Sequence, residues 1–125
     1  MFDIAHYILL GLLKLLMVYH LLILLKIIPY DKVWGGRLKS EVDMLKFEAV
    51  SLITTIAFIF IIAFSSGLIP SPIPRSTLDI ILLVMGILFL VNTVGNLKSI
   101  NKFEKLVFTP LTLIMSGLIF FILWQ

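Results

Sequence analysis

Four long apolar runs divide the chain, over about residues 4–29, 44–69, 78–97 and 105–124, and most charged residues gather between them or at their edges. Crossing the hydrocarbon core of a bilayer takes about 20 mainly apolar residues in a helix, and each run supplies them. The connecting segments are too short to form a soluble domain. The pattern therefore predicts an all-α polytopic membrane protein, with residues 1–125 forming a single domain of four transmembrane helices.

Local signals predict where the helices begin and end. The first run closes at IIPYDKVWGGR, where Pro29 cannot continue a helix interior cheaply and Gly35-Gly36 offers turn backbone. Tyr30 and Trp34 suit the headgroup level. SEVD then reads as a capping box, with Ser40 as N-cap of the second helix and Asp43 reaching back. The middle loop, IPSPIPRST, holds three of the five prolines and is expected to be stiff and extended. STLD, with Ser76 and Asp79, repeats the cap pattern for the third helix, and NKFE, Asn101 to Glu104, does so for the fourth. Pro110 lies inside the fourth run and is expected to kink it; Trp124 closes that run at an interface.

Two corners of the chain echo each other. GRLKS, Gly36 to Ser40, returns as GNLKS, Gly95 to Ser99, and KFE follows both, at Lys46 to Glu48 and at Lys102 to Glu104. Each corner follows one run and precedes the next, so order and sidedness agree. This suggests two helical hairpins in the same orientation, parallel repeats about a pseudo-two-fold axis along the membrane normal. A chance match of five residues in so biased a sequence is the alternative.

Composition strengthens the membrane assignment. The chain is 61% hydrophobic and 14% charged, with a mean hydropathy of +1.17, against roughly 45–50% apolar residues in ordinary domains. The first run lacks the basic start of a signal peptide, carries Asp3 and exceeds a signal core of about 7–15 residues, so it is expected to be a helix and not a cleaved leader. Cysteine is absent, which excludes disulfides, thiol nucleophiles and thiolate metal sites.

Charge sets the expected orientation. Lys26, Lys32, Arg37, Lys39 and Lys46 surround the first corner, Lys98, Lys102 and Lys105 the second, and only Arg75 the middle loop. Short loops rich in Lys and Arg stay in the cytoplasm, so both termini and the middle loop are expected outside. The bias is too lopsided for a protein inserted in both orientations. The net charge of +3 is a property of these corners and implies no nucleic acid.

Candidate chemistry rests on the polar groups within the runs. Lys14 falls near the bilayer midplane, where insertion costs about +2.5 to +3.5 kcal/mol. Asp3, Tyr7 and Lys14 share a sector of about 40° on a helix of 100° per residue, forming one polar stripe. Lys14 would either snorkel or bond a neighbouring helix, or serve an anionic substrate or ion. Glu48, Ser51 and Thr55 share a face of the second helix. There Glu48 reads as an interfacial carboxylate paired with Lys or Arg of the inner loops, Arg37 included, and Glu104 occupies the corresponding place in the fourth helix. Asn92 and Asn96, and the stripe Thr109, Thr112 and Ser116, read as hydrogen-bonding glue between helices worth about 0.6 kcal/mol each, or as the lining of a path.

His6 and His20 are spaced like the haem-binding histidines of two-haem membrane helices, and a parallel homodimer would be needed to complete haem ligation, since the chain has no other histidine. No cofactor is the leading expectation. Asp3 and His6 are too few for a metal site, so no metal is expected. There is no H-E-x-x-H, no glycine-rich phosphate loop and no convergent carboxylate cluster, so no catalytic residue is assigned and the chain is read as leaning away from an enzyme. Gly35, Gly36 and Arg37 fit a basic rim against anionic lipid.

VWGGRLKS with FEAVSL, and NTVGNLKS with FEKLVFTPLT, resemble segments of small four-span bacterial membrane proteins of unassigned function. The resemblance covers most of the chain; it implies bacterial origin and the cytoplasmic membrane, and transfers no catalytic residues. Two function classes remain. One is a non-enzymatic accessory, lipid-binding or scaffold subunit that meets a partner through its cytoplasmic loops, at Trp34, Arg37, Glu48, Asn92, Asn96 and Glu104. The other is a small oligomeric transporter or channel subunit with the Lys14 stripe near its path. Membrane lipids, further copies of the chain and a protein at the cytoplasmic loops are the partners these readings allow.

Overall fold

The computed structural model describes residues 4–27, 40–99 and 102–124, with Glu41 and Glu104 described by backbone alone. These residues form four α-helices: α1 (Ile4–Leu24), α2 (Glu41–Ser66), α3 (Arg75–Leu97) and α4 (Lys102–Trp124). Each is long and apolar enough to cross a membrane. Their outer faces are apolar as well: Leu15, Val18, Ile53, Ile80, Val84, Val91, Leu106 and Ile114 all stand exposed. A surface of that kind is at ease in lipid and out of place in water.

The helices form two antiparallel hairpins. His6 meets Ser65 and His20 meets Glu48 across α1 and α2; Thr93 meets Thr112 and Gly86 meets Ser116 across α3 and α4. Packing is most extensive within the hairpins, thinner between α1 and α4, and, among neighbouring helices, sparsest between α2 and α3. Ile4 and Trp124 therefore share one end of the bundle with the 67–74 loop, the proline end. The ends of α1 and α3 and the starts of α2 and α4 share the other, the corner end. Leu9, Leu13, Ile62, Leu82, Met85, Met115 and Ile119 fill the core.

In lipid, apolar side chains gain little by leaving a solvent as apolar as themselves, so close packing and polar contacts must select the partners. The α3–α4 seam shows both. A Cβ on Gly86 would stand 2.9 Å from the Phe120 ring, so only glycine lets that ring lie against α3 undisturbed. The same residue's carbonyl accepts from Ser116 Oγ at 2.9 Å.

Helix ends follow local chemistry, with three departures from the sequence expectation. Ser40 is the N-cap of α2 as expected, its Oγ accepting from the Asp43 N–H at 3.1 Å. The first helix stops at Leu24, about a turn short of Pro29, because Lys26 turns left-handed (φ 66°) and the N–H groups of Lys26 and Ile27 fold back on the carbonyls of Ile23 and Leu22. That is the paired bonding of a Schellman end, normally given to glycine; Gly67 at φ 85° fills the glycine role after α2.

The expected cap at Ser76 is absent. The helix begins two residues earlier, at Arg75, with Pro74 in the cap position and no side-chain cap bond. Pro74 enters at φ −59° and ψ 149°, and Ser71 holds the approach by accepting from the Ile73 N–H and donating to the Ile73 carbonyl. The KFE echo also lands unevenly: Lys102 to Glu104 open α4, whereas Lys46 to Glu48 lie more than a turn inside α2. Gly36 to Lys39 lie outside the described residues, as does the expected Asn101 cap. Pro110 stands inside α4, which continues through it.

Candidate functional site

The polar residues of the interior fall into two groups, one toward each end of the bundle. At the proline end, His6 is 1% exposed and its Nε2 lies 3.4 Å from Ser65 Oγ. Arg75 folds back from the start of α3 to donate to Ser65 Oγ at 3.4 Å and to the Ser65 carbonyl at 3.3 Å. A cation on the last carbonyls of a helix satisfies orphan acceptors and complements the dipole, so Arg75 ties the middle loop to the end of α2.

The corner-end group is larger and encloses space. His20 lies in the last turns of α1 and Glu48 in the third turn of α2, at comparable depth on either side of the first corner. Nδ1 of His20 and Oε2 of Glu48 are 2.6 Å apart, with side chains 14% and 0% exposed. A fully enclosed carboxyl group is costly to leave without partners; here a short contact with the imidazole serves it. Tyr19 packs against Phe108 with the rings tilted by 52° and their centroids 4.6 Å apart, linking the same stretch of α1 to α4.

Beside this pair lies a cavity of about 470 Å³ bounded by all four helices, within the range of small-molecule sites. On the α2 wall stand Ser51, Thr54 and Thr55, with Thr55 Oγ1 donating to the Ser51 carbonyl at 2.7 Å. The opposite wall carries Asn92, Gly95, Asn96 and Thr112. Asn96 Nδ2 reaches the Phe108 carbonyl at 3.4 Å and Thr112 Oγ1 at 3.5 Å, and Thr112 Oγ1 is 2.8 Å from Thr93 Oγ1. Leu16, Phe58, Leu88 and Phe89 line the apolar remainder toward mid-bundle.

The cavity opens sideways. Its exposed lining residues, Val50 on α2 and Leu88, Val91, Asn92 and Gly95 on α3, flank the α2–α3 seam, where neighbouring helices touch least. A polar end near the corners and an apolar mouth in the side of the bundle make an amphipathic chamber. The pair His20 and Glu48 offers two groups of the kind that ligate metals, fewer than a protein metal site uses.

The sequence candidates separate. His20, Glu48, Asn92 and Asn96 come together at the chamber. His6 lies buried at the far end. Tyr7 and Lys14 stand exposed on the outer face of α1, and Lys14 makes no hydrogen bond or ion pair among the described residues. It does not bond a neighbouring helix, because the helix face it occupies is turned out of the bundle. Asp3, Trp34, Arg37 and the Glu104 side chain lie outside the described residues, as does any pairing of Glu48 with Arg37. Thr112 and Ser116 join α4 to α3 as expected, while Thr109 Oγ1 is buried without a partner among the described residues.

The His20–Glu48 pair itself was not foreseen. The available signal was depth: in a helical hairpin, residues at similar distances from the corner face each other. The Ser65–Arg75 link was likewise missed, though one cation beside three prolines marked a loop end that needed anchoring. No protein-family model, curated protein or solved structure matches the chain.

Proposed function

We propose that the protein is a non-enzymatic, lipid-binding membrane subunit that holds an amphiphile in the chamber between its hairpins. The polar head lies among His20, Glu48, Asn92 and Asn96, and the hydrocarbon tail leaves between α2 and α3 into the bilayer. One observation carries this reading: the chamber places a buried carboxyl–imidazole pair at its corner end and a mostly apolar, laterally open mouth on the lipid side. A soluble ligand would favour a mouth facing water. A head rich in N–H or O–H donors, such as ethanolamine, suits the acceptors that Glu48 and the asparagine carbonyls offer.

From the placement of Lys and Arg and from the resemblance of its corners, the reading sets the protein in a bacterial cytoplasmic membrane with both corners in the cytoplasm. It treats the two hairpins as parallel repeats. Partner proteins would then meet the corner end, beside the filled chamber. The transporter alternative finds less support: Lys14 faces away from the chamber, so its stripe would border a path only between subunits.

The test is a titration of purified protein with dioctanoyl phosphatidylethanolamine, followed by native mass spectrometry. A Cβ on Gly95 would meet nothing within 4 Å, so Gly95→Phe should fill the mouth while sparing the fold. Loss of saturable binding by about tenfold or more, worth about 1.4 kcal/mol, is expected. Equal binding by the two proteins would refute the site.

A further inference from the structure

A second surface stands apart from the chamber. Tyr7, Gly11, Lys14, Val18 and Leu21 follow one another at alternating steps of four and three along α1, Leu25 continues the row just past its end, and every one is exposed. That is the spacing of a helix–helix seam, and here it faces away from all three neighbouring helices. Gly11 has open space where a Cβ would stand. Small residues at such positions let two membrane helices approach closely.

Lys14 is the middle residue of the 21 in α1, about 15 Å from either end at 1.5 Å per residue. A lysine side chain near a helix end can snorkel to the headgroups. From the middle of this helix its reach of about 6 Å, a few rises of the helix, leaves it well inside the hydrocarbon. Intramembrane cations are normally paired or turned toward a bundle interior, and Lys14 has no partner among the described residues. The seam is therefore incomplete in a single bundle.

We infer that this face of α1 docks a transmembrane helix of another protein that carries a carboxyl group at mid-span, paired with Lys14 and packed over Gly11. Charge complementarity selects that partner over a second copy. A two-fold axis along the membrane normal keeps every residue at its own depth, so a second copy would bring another Lys14 to the same level. Among the described acidic side chains, Glu48 is buried against His20, and Asp43 and Asp79 lie near the ends of α2 and α3. None is exposed at mid-span. Lipid phosphate cannot serve either, since it stays at the headgroup level.

The chain has no cysteine, so Trp124→Cys, at a side chain 90% exposed, gives one labelling site. Full-length protein carrying a donor dye there is reconstituted in phosphatidylcholine vesicles with an acceptor-labelled synthetic helix of about 20 leucines and alanines bearing one central glutamate. Energy transfer should show association about tenfold or more tighter than with the same helix lacking glutamate. Lys14→Leu should abolish the difference, Lys14→Arg should retain it, and moving the glutamate two turns toward an end should weaken it. The inference fails if both helices bind equally or if Lys14→Leu binds as well as the unmodified face. It also fails if donor- and acceptor-labelled copies of the protein associate with each other through Lys14 without any peptide, which would make a second copy the occupant.

Discussion

The two hairpins solve the same packing problem with different chemistry. Across α3 and α4 the contacts are neutral and compact: glycine under a phenylalanine ring, serine on a carbonyl, threonine on threonine. Across α1 and α2 they are imidazole against carboxyl and imidazole against hydroxyl. In a medium that gives no hydrophobic drive between helices, the first set suffices for a rigid hairpin. The second brings in a buried ionisable pair that α3–α4 shows can be dispensed with for packing alone. The surplus chemistry of α1–α2 lies in the wall of the chamber, which is why the proposed function is placed there.

Removing one partner of the buried pair should break the contrast most severely. His20→Leu leaves the Glu48 carboxyl enclosed beside an apolar group and should cost about 3–5 kcal/mol, read as a lowered unfolding midpoint in detergent. His20→Leu with Glu48→Leu should recover most of that loss. A double variant as unstable as His20→Leu alone would show that the pair, and not merely its balance, holds the hairpin together.

On the neutral side the next largest effect is expected at Gly86. Alanine there presses on the Phe120 ring and should destabilise by about 1–3 kcal/mol. Phe120→Leu should relieve part of this, a coupling that a double-mutant cycle measures. Additive losses would mean that the close approach is not what sets the seam.

The smallest effect belongs to the hydroxyls. Thr112→Val and Ser116→Ala should each cost about 0.6 kcal/mol by the same unfolding measurement, and Ser116→Ala, which lies outside the chamber lining, should leave lipid binding intact. A loss of several kcal/mol would promote either residue from glue to keystone.

The number and approximate position of the helices were legible because lipid imposes a coarse rule: about 20 apolar residues per crossing. The Ser40 cap was legible because its chemistry is local. The C-terminal end of α1 and the start of α3 were not, since a left-handed lysine and a proline at the cap position depend on how nearby backbone and loop contacts resolve. Side-chain direction was harder still. Helical spacing correctly grouped Tyr7 with Lys14 and His6 with His20, but it could not say which group faces inward. On a helix that is apolar almost all round, the hydrophobic pattern does not mark the buried face. Packing decided it: the two histidines turned into the bundle and the lysine stayed outside. Asn92 and Asn96 were recognisable as a polar patch at one end of the third run; that they face Ser51 and Thr54 across a gap required the second hairpin.

The most direct test of the lipid chamber is photolabelling in place. A phosphatidylethanolamine carrying a diazirine midway along one chain is incorporated with the protein into vesicles, illuminated, and the labelled positions are read by peptide mass spectrometry. Labelling concentrated on Val50, Leu88 and Val91 at the α2–α3 mouth, and lost in Gly95→Phe, is the result predicted. Labelling spread evenly over the outer faces of all four helices, unchanged by Gly95→Phe, would contradict the chamber as a lipid site.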